Sequence, residues 1–339
     1  MADHGLAVSS APVAEGLPLQ PPLTERILAR LGRPRWIWIA LWVTGYQLSI
    51  IVAQAQTGLR IFPPGEDLRF YAAWGFLALV GLSAIRTVFR DVAGLQPLLD
   101  ELIPPGEKAG ANLFRGLDST WGPLTIALLN AMLFSLPEFL KSPAPATAVL
   151  VLANFVSGIP AITFLWMYVV LLLALNRLGT VGLTLRPFQI DRSLGLARFG
   201  ALAFKVFVLL AAGSIPMAFF GTPDLRTVVV NIGILVGASA LLFVSLHRMH
   251  RQVVTAKAAY VAQARRLYAE AYASLGTPVS LHALTAQAAS LNAAEALERR
   301  ASTIQEWPLD EGLIARLAAI VTSLTAAILA RFLLSRVGL

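Results

Sequence analysis

The chain has no cysteine among its 339 residues. That absence excludes disulfide scaffolds, thiolate catalysis, Cys-ligated zinc and iron–sulfur clusters together. Charge is almost as scarce: Asp, Glu, Lys and Arg make up 14% of the sequence, against roughly 25% in a typical soluble domain. Histidine occurs only at positions 4, 247, 250 and 282. His247 and His250 have the spacing of a helical chelate, but no other ligand types accompany them, so neither a metal nor a cofactor is expected.

What is present is hydrocarbon. Apolar residues make up 57% of the chain and mean hydropathy is +0.69, which places it in lipid rather than water. The net charge of +8 would suggest nucleic acid in a soluble protein; here a positive-inside bias accounts for it, and no nucleic acid partner is expected. Arg greatly outnumbers Lys and Ala is abundant, the compositional habit of a high-GC bacterial genome, so the expected location is a bacterial inner (plasma) membrane.

Seven stretches fit the roughly 20 apolar residues that cross a bilayer core of about 30 Å. They are 36–54, 70–88, 121–136, 147–175, 199–220, 227–246 and 313–334. Sorting the basic residues between them puts about 21 on the side of the N-terminus and about 6 on the other, which orients the N-terminus in the cytoplasm and the C-terminus outside. Trp36, Trp38 and Trp42 begin the first stretch, where interfacial aromatics belong. Residues 1–22 read as a disordered cytoplasmic tail, and 23–246 as a transmembrane domain with six spans. The segment around Val92, Leu95, Leu98, Leu99 and Leu102 has helical spacing and is expected along the cytoplasmic interface. The fourth stretch holds Gly158 and Pro160 near its middle, a candidate hinge in one tilted, kinked helix.

No breaker interrupts the sixth helix before Gly276-Thr277-Pro278, so it is expected to leave the membrane as a stalk. Val254, Val261, Tyr268 and Leu275 recur every seven residues, with Ala258, Ala264 and Ala271 between them. Leu281, Leu284, Ala288, Leu291, Ala294, Ala301 and Ile304 offer a returning partner, giving a cytoplasmic antiparallel hairpin over 247–306. The same seam would suit a second subunit. Residues 307–339 then form the seventh transmembrane helix, with Trp307 at the interface, Pro308 behind it, and Asp310 as a cap. The fold class is all-α, a polytopic helical bundle.

Polar residues within the spans are few: Gln47, Asn130, Asn154, Ser214 and Asn231, with Ser323 on the small-residue face of the last helix. They are candidates for a cavity or pore, or for ordinary interhelical hydrogen bonds. No Asp, Glu, Lys or Arg lies near a midplane, which argues against a proton-coupled transporter. Asp191 and Arg192, in the dense turn region 187–196, are candidates for interface and coupling together with Trp307, Pro308 and Asp310. No catalytic constellation emerges, so an enzyme is not expected.

Two segments carry a resemblance. Pro187-Phe188 followed by Asp191 to Leu196, and Trp307-Pro308-Leu309-Asp310, resemble parts of uncharacterised prokaryotic multi-pass membrane proteins, which bring no assigned activity and no functional residues. In topology alone the chain is similar to the seven-helix ion channels of the insect chemoreceptor type, which implies a last helix lining a pore. The reading is a channel-like or sensor protein of homo-oligomeric form, with a membrane-anchored scaffold recruiting a cytoplasmic protein as the alternative. The bilayer is its expected partner in either case.

Overall fold

A computed structural model describes residues 20–32, 34–57, 67–104, 113–141, 145–185, 191–220, 225–273 and 281–337. Among these residues the chain forms ten helices and no strand. Most of the tail, the Pro105-Gly106 turn, Pro187 and Phe188, the 221–224 connection, and the turn at 276–278 lie outside the described residues.

The short helix α1 (Leu23–Arg30) buries Leu23, Thr24 and Leu28 and ends at Gly32, whose φ of 62° suits a glycine just past a helix. Helices α2 (Arg35–Thr57) and α3 (Asp67–Ala93) follow, then the one-sided helix α4 (Gln96–Leu102). Helix α5 (Trp121–Lys141) precedes α6 (Pro145–Leu178), which passes through Pro160 as one continuous helix of 34 residues. Helices α7 (Ala197–Phe220), α8 (Leu225–Ala273), α9 (Leu281–Ser302) and α10 (Glu311–Val337) complete the chain.

Five segments are long and apolar enough to cross a membrane: Trp36–Gln56, Thr147–Leu178, Ala197–Pro216, Val228–Ala273 and Glu311–Val337. The other two expected stretches, 70–88 and 121–136, lie on helices α3 and α5; among the described residues the apolar part of α5 is Trp121–Leu133.

Helix α6 is the hub, in contact with α1, α2, α3, α5, α7 and α8. Its apolar residues face every direction, which is the pattern of a helix buried all round. Met167, Tyr168, Leu171, Leu175 and Leu178 are all buried along it. Glycines set some of the closest approaches: a Cβ on Gly122 of α5 would come within 2.5 Å of the Trp166 ring, and one on Gly179 within 2.6 Å of the Arg248 Cβ. Gly158 and Pro160, the candidate hinge, are buried inside this packing.

Leu95, Leu98, Leu99 and Leu102 of the α4 region, expected along the cytoplasmic interface, pack into the protein's own core. Thr184 N–H also donates to the Leu102 carbonyl, tying α4 to the segment after α6.

Helices α8 and α9 pack side by side, and part of the expected seam lies between them. Ion pairs Lys257–Glu306 and Arg265–Glu298 advance eight residues on one side (257 to 265) and retreat eight on the other (306 to 298), the register of antiparallel packing. Val254 and Tyr268, expected inside, are 37% and 38% exposed, whereas Val253, Ala264 and Ala271 are buried. The face that Leu246 and Met249 commit to the core simply continues along α8. Alanine there lets α9 approach closely through its own buried Ala294 and Ala301; Val and Tyr would hold it away. On α9 Leu284 is likewise exposed, while Ile304, just past its end, is buried.

Candidate functional site

The best-organised polar constellation lies at the base of the hairpin, where three segments meet: the loop before α7, the foot of the α8 stalk, and the linker that enters α10. Asp191 organises the first. Its Oδ1 accepts from the backbone N–H of Ser193 (2.7 Å) and Gly195 (2.9 Å), and its Oδ2 from Ala197 (3.3 Å) at the start of α7. Leu194 and Gly195 both take positive φ, 58° and 93°, so the loop curls around the carboxylate. The strain of a non-glycine left-handed residue is held by these bonds and by complete burial of Leu194 and Leu196.

The linker binds that loop directly. Gln305 N–H donates to the Arg192 carbonyl at 2.9 Å, and the Ser193 hydroxyl reaches the Trp307 carbonyl at 3.3 Å and Gln305 Oε1 at 3.4 Å. Pro308 runs across α7 at Gly200, where a Cβ would overlap the Pro308 carbonyl group. Only glycine permits this backbone-on-helix contact. Asp310 then caps α10 by accepting from Leu313 N–H at 2.6 Å.

The stalk supplies the third side. The His250 ring stacks on Trp307 with centroids 4.2 Å apart and planes 11° from parallel, and Phe243 meets the same indole edge-on at 5.9 Å. His250 Nδ1 lies 2.9 Å from the Glu306 carbonyl, and Lys257 pairs with the Glu306 carboxylate at 3.1 Å. His250 is thus engaged by the linker, with the His247 ring 6.1 Å away.

The foot of the stalk also clamps the chain leaving α6. Gln252 Nε2 donates to the carbonyls of Gly179 (2.8 Å) and Val181 (2.7 Å), and the Tyr260 hydroxyl to Leu185 (2.6 Å). Tyr260 stands well beyond the apolar part of α8, and burial pushes its phenol above the usual 10.0. It remains a neutral donor at physiological pH.

Asp191, Arg192, Trp307, Pro308 and Asp310 therefore lie in one continuous junction. Sequence reasoning missed Gly200, Gln252, Tyr260 and Glu306. Gly200 and Gln252 carried a signal, a glycine in an apolar helix and a lone amide among buried Met249 and Val253. The contacts of Tyr260 and Glu306 depend on chain segments 75 and 49 residues distant.

Gln47, Asn130, Asn154, Ser214, Asn231 and Ser323 sit on six different helices. Asn154 accepts from the Tyr46 hydroxyl at 3.1 Å, joining α6 to α2. Ser214 donates to Ala211 within its own helix, Asn231 is buried on α8, and Ser323 is exposed on α10. Asn130 approaches Gly158, with 3.8 Å between its Nδ2 and the place a Cβ would take.

Comparison with family models, with curated proteins and with solved structures gives no match to this chain.

Proposed function

We propose that the chain is a channel-like or sensor protein of a bacterial inner membrane, in which the hairpin biases the last helix through the junction around Trp307. The observation that carries this is the double attachment of the α10 linker. One side is hydrogen-bonded to the loop of Asp191, and the other is stacked on the stalk at His250. A tilt of α8 therefore cannot leave the entry of α10 unmoved. A rigid helix held at its base is the sort of two-position element that coupling needs.

In this reading α3 and α5 cross the bilayer as well, giving seven spans with the N-terminus inside and the C-terminus outside. Helix α8, at 49 residues roughly 74 Å long, spans with its first half and projects into the cytoplasm with the rest. Helix α10 contacts only α7 and α8 among the more extensive helix contacts and buries just Leu317 and Ile328. That leaves most of its surface for lipid or for further copies in a homo-oligomer around a pore. The reading assigns no enzymatic step.

Flux through liposomes holding the purified protein, with native mass spectrometry of the same preparation, tests it. Conductance that is altered by Trp307→Ala in an oligomer supports coupling; a monomer silent under all ligands sinks it. A scaffold reading is favoured by one observation, the stacked Tyr268–Tyr272 pair left on the stalk surface, with Tyr272 63% exposed. Photocrosslinking from those positions separates the two: self-adducts favour the oligomer, adducts to a soluble protein the scaffold.

A further inference from the structure

Between α2 and α6 runs a groove of about 420 Å³ that no part of the junction uses. Trp42, Tyr46, Ala153 and Ser157 line it alongside exposed Leu41 and Leu152. Its hydroxyls are tied back to the protein, and the partnerless indole nitrogens of Trp38 and Trp42 are buried rather than presented to the groove. The Tyr46 hydroxyl donates to Asn154 Oδ1, Ser49 Oγ to the Tyr46 carbonyl at 2.6 Å, and Ser157 Oγ to the Asn154 carbonyl at 3.3 Å. A lining whose accessible surface is almost wholly apolar suits hydrocarbon, not a hydrated solute or ion. We propose that this groove binds the acyl chain of an anionic glycerophospholipid.

Four observations select that occupant. On α2 the groove runs from Trp38 to Ser49, eleven residues or roughly 16 Å, about half of a bilayer core and thus one leaflet deep. Gly45 opens its wall, and a Cβ there would meet nothing within 4 Å, so a residue that weakens a helix interior sits where side-chain volume is missing. An exposed basic residue stands on the Trp38–Trp42 side: Arg30 closes α1 one turn after Ile27, which packs into the same cluster as Trp42. An anionic headgroup at that end places its chain along the groove. A second helix, 10–12 Å across, does not enter a slot between two neighbouring helices, whereas a single acyl chain does.

The inference rests on the membrane reading of α2 and α6, and on neither conduction nor coupling. Full-length protein is reconstituted in phosphatidylglycerol–phosphatidylcholine vesicles, extracted, and examined by native mass spectrometry. The wild type is expected to retain one phosphatidylglycerol per chain, about fivefold over phosphatidylcholine, the scale of one basic residue at an anionic surface. Gly45→Leu, which fills the groove, is expected to lose that lipid. Equal retention by both proteins, no retained lipid in the wild type, or an oligomer that dissociates in Gly45→Leu without any lipid signal overturns the proposal. A second readout needs no groove variant to fold. Phosphatidylglycerol with brominated chains is expected to quench the fluorescence difference between wild type and Trp38→Phe/Trp42→Phe more than brominated phosphatidylcholine, and equal quenching overturns it. Alkaline carbonate distinguishes the two levels of failure: a chain that it extracts refutes the membrane reading, while an embedded chain without bound lipid refutes this inference alone.

Discussion

Helices α6 and α10 are both apolar around their whole circumference, and both are long enough to cross a bilayer, yet 61% of the most apolar stretch of α6 is buried inside the protein and 11% of that of α10. The first is the axle of the fold and the second hangs on its edge. In water such a helix would be forced inward. In lipid the surrounding tails are as apolar as leucine, so burial depends on close packing rather than on hydrophobicity. The α6 side has what packing needs: glycines at 122 and 179 where neighbours touch, and large side chains filling the space between. The α10 side has instead a firmly held entry and a loosely covered body.

The largest effect that would break the contrast falls on that entry. Gly200→Val puts side-chain atoms into the Pro308 backbone, which cannot step aside as a flexible side chain would, and is expected to cost about 3 kcal/mol or to release α10. Protease sensitivity between residues 303 and 311 reports the release. An unaltered cleavage pattern and melting temperature would mean that the linker does not lie on α7.

Leu171→Ala on α6 and Leu333→Ala on α10 sharpen it next. Leu171 is fully buried and Leu333 is 61% exposed, so the first is expected to destabilise by roughly 2–5 kcal/mol and the second by no more than about 0.5 kcal/mol. Thermal unfolding in one detergent compares them. Similar losses would place α10 against a partner, and another copy of the chain would then be the first suspect.

Trp307→Ala should follow at about 2 kcal/mol, below the range for a fully buried Trp because this indole is half-buried. Loss of its edge contact with Phe243 and stacking on His250 should loosen the linker without unfolding α6, which hydrogen exchange resolves segment by segment.

The smallest expected effect is Tyr260→Phe, about 1 kcal/mol for one hydrogen bond to the Leu185 carbonyl. Because burial raises the Tyr260 phenol in the folded state, its contribution is complete below pH 10 and fades as pH rises through the higher folded value. Alkaline unfolding of the wild type is therefore expected to show a step that the variant lacks. An identical pH profile would remove Tyr260 from the clamp.

How much was legible can be argued from particular residues. Asp310 as the cap of α10, the unbroken run of α8 to Ala273, and the return of α9 beside it follow from local rules: a short carboxylate before an apolar run, no breaker, and helical spacing. That Asp191 and Arg192 and, separately, Trp307 and Pro308 mark turns was also legible, because both stretches are rich in turn and capping residues; that the two turns meet was not. The seam between α8 and α9 was legible in its small residues, Ala264, Ala271, Ala294 and Ala301, which are buried; Val254 and Tyr268, placed in the same seam, are exposed, since close helix approach rewards small side chains that hydropathy ranks low. Polarity alone could not distribute Gln47, Asn130 and Asn154, because a polar residue in an apolar helix marks a need for a partner without saying which helix supplies it.

The amino-acid sequence by itself determined that this is an all-helical chain built for lipid, with long apolar helices and a charged extension, because composition and 3.6-residue periodicity act within single helices. Only the tertiary structure decided which helix is central, which alanines meet, and that Trp307 is held between the loop of Asp191 and the stalk at His250. Those outcomes depend on backbones coming within a side chain's length of each other, at Gly179 and Gly200 above all, and close approach is a property of pairs of helices that no single helix carries.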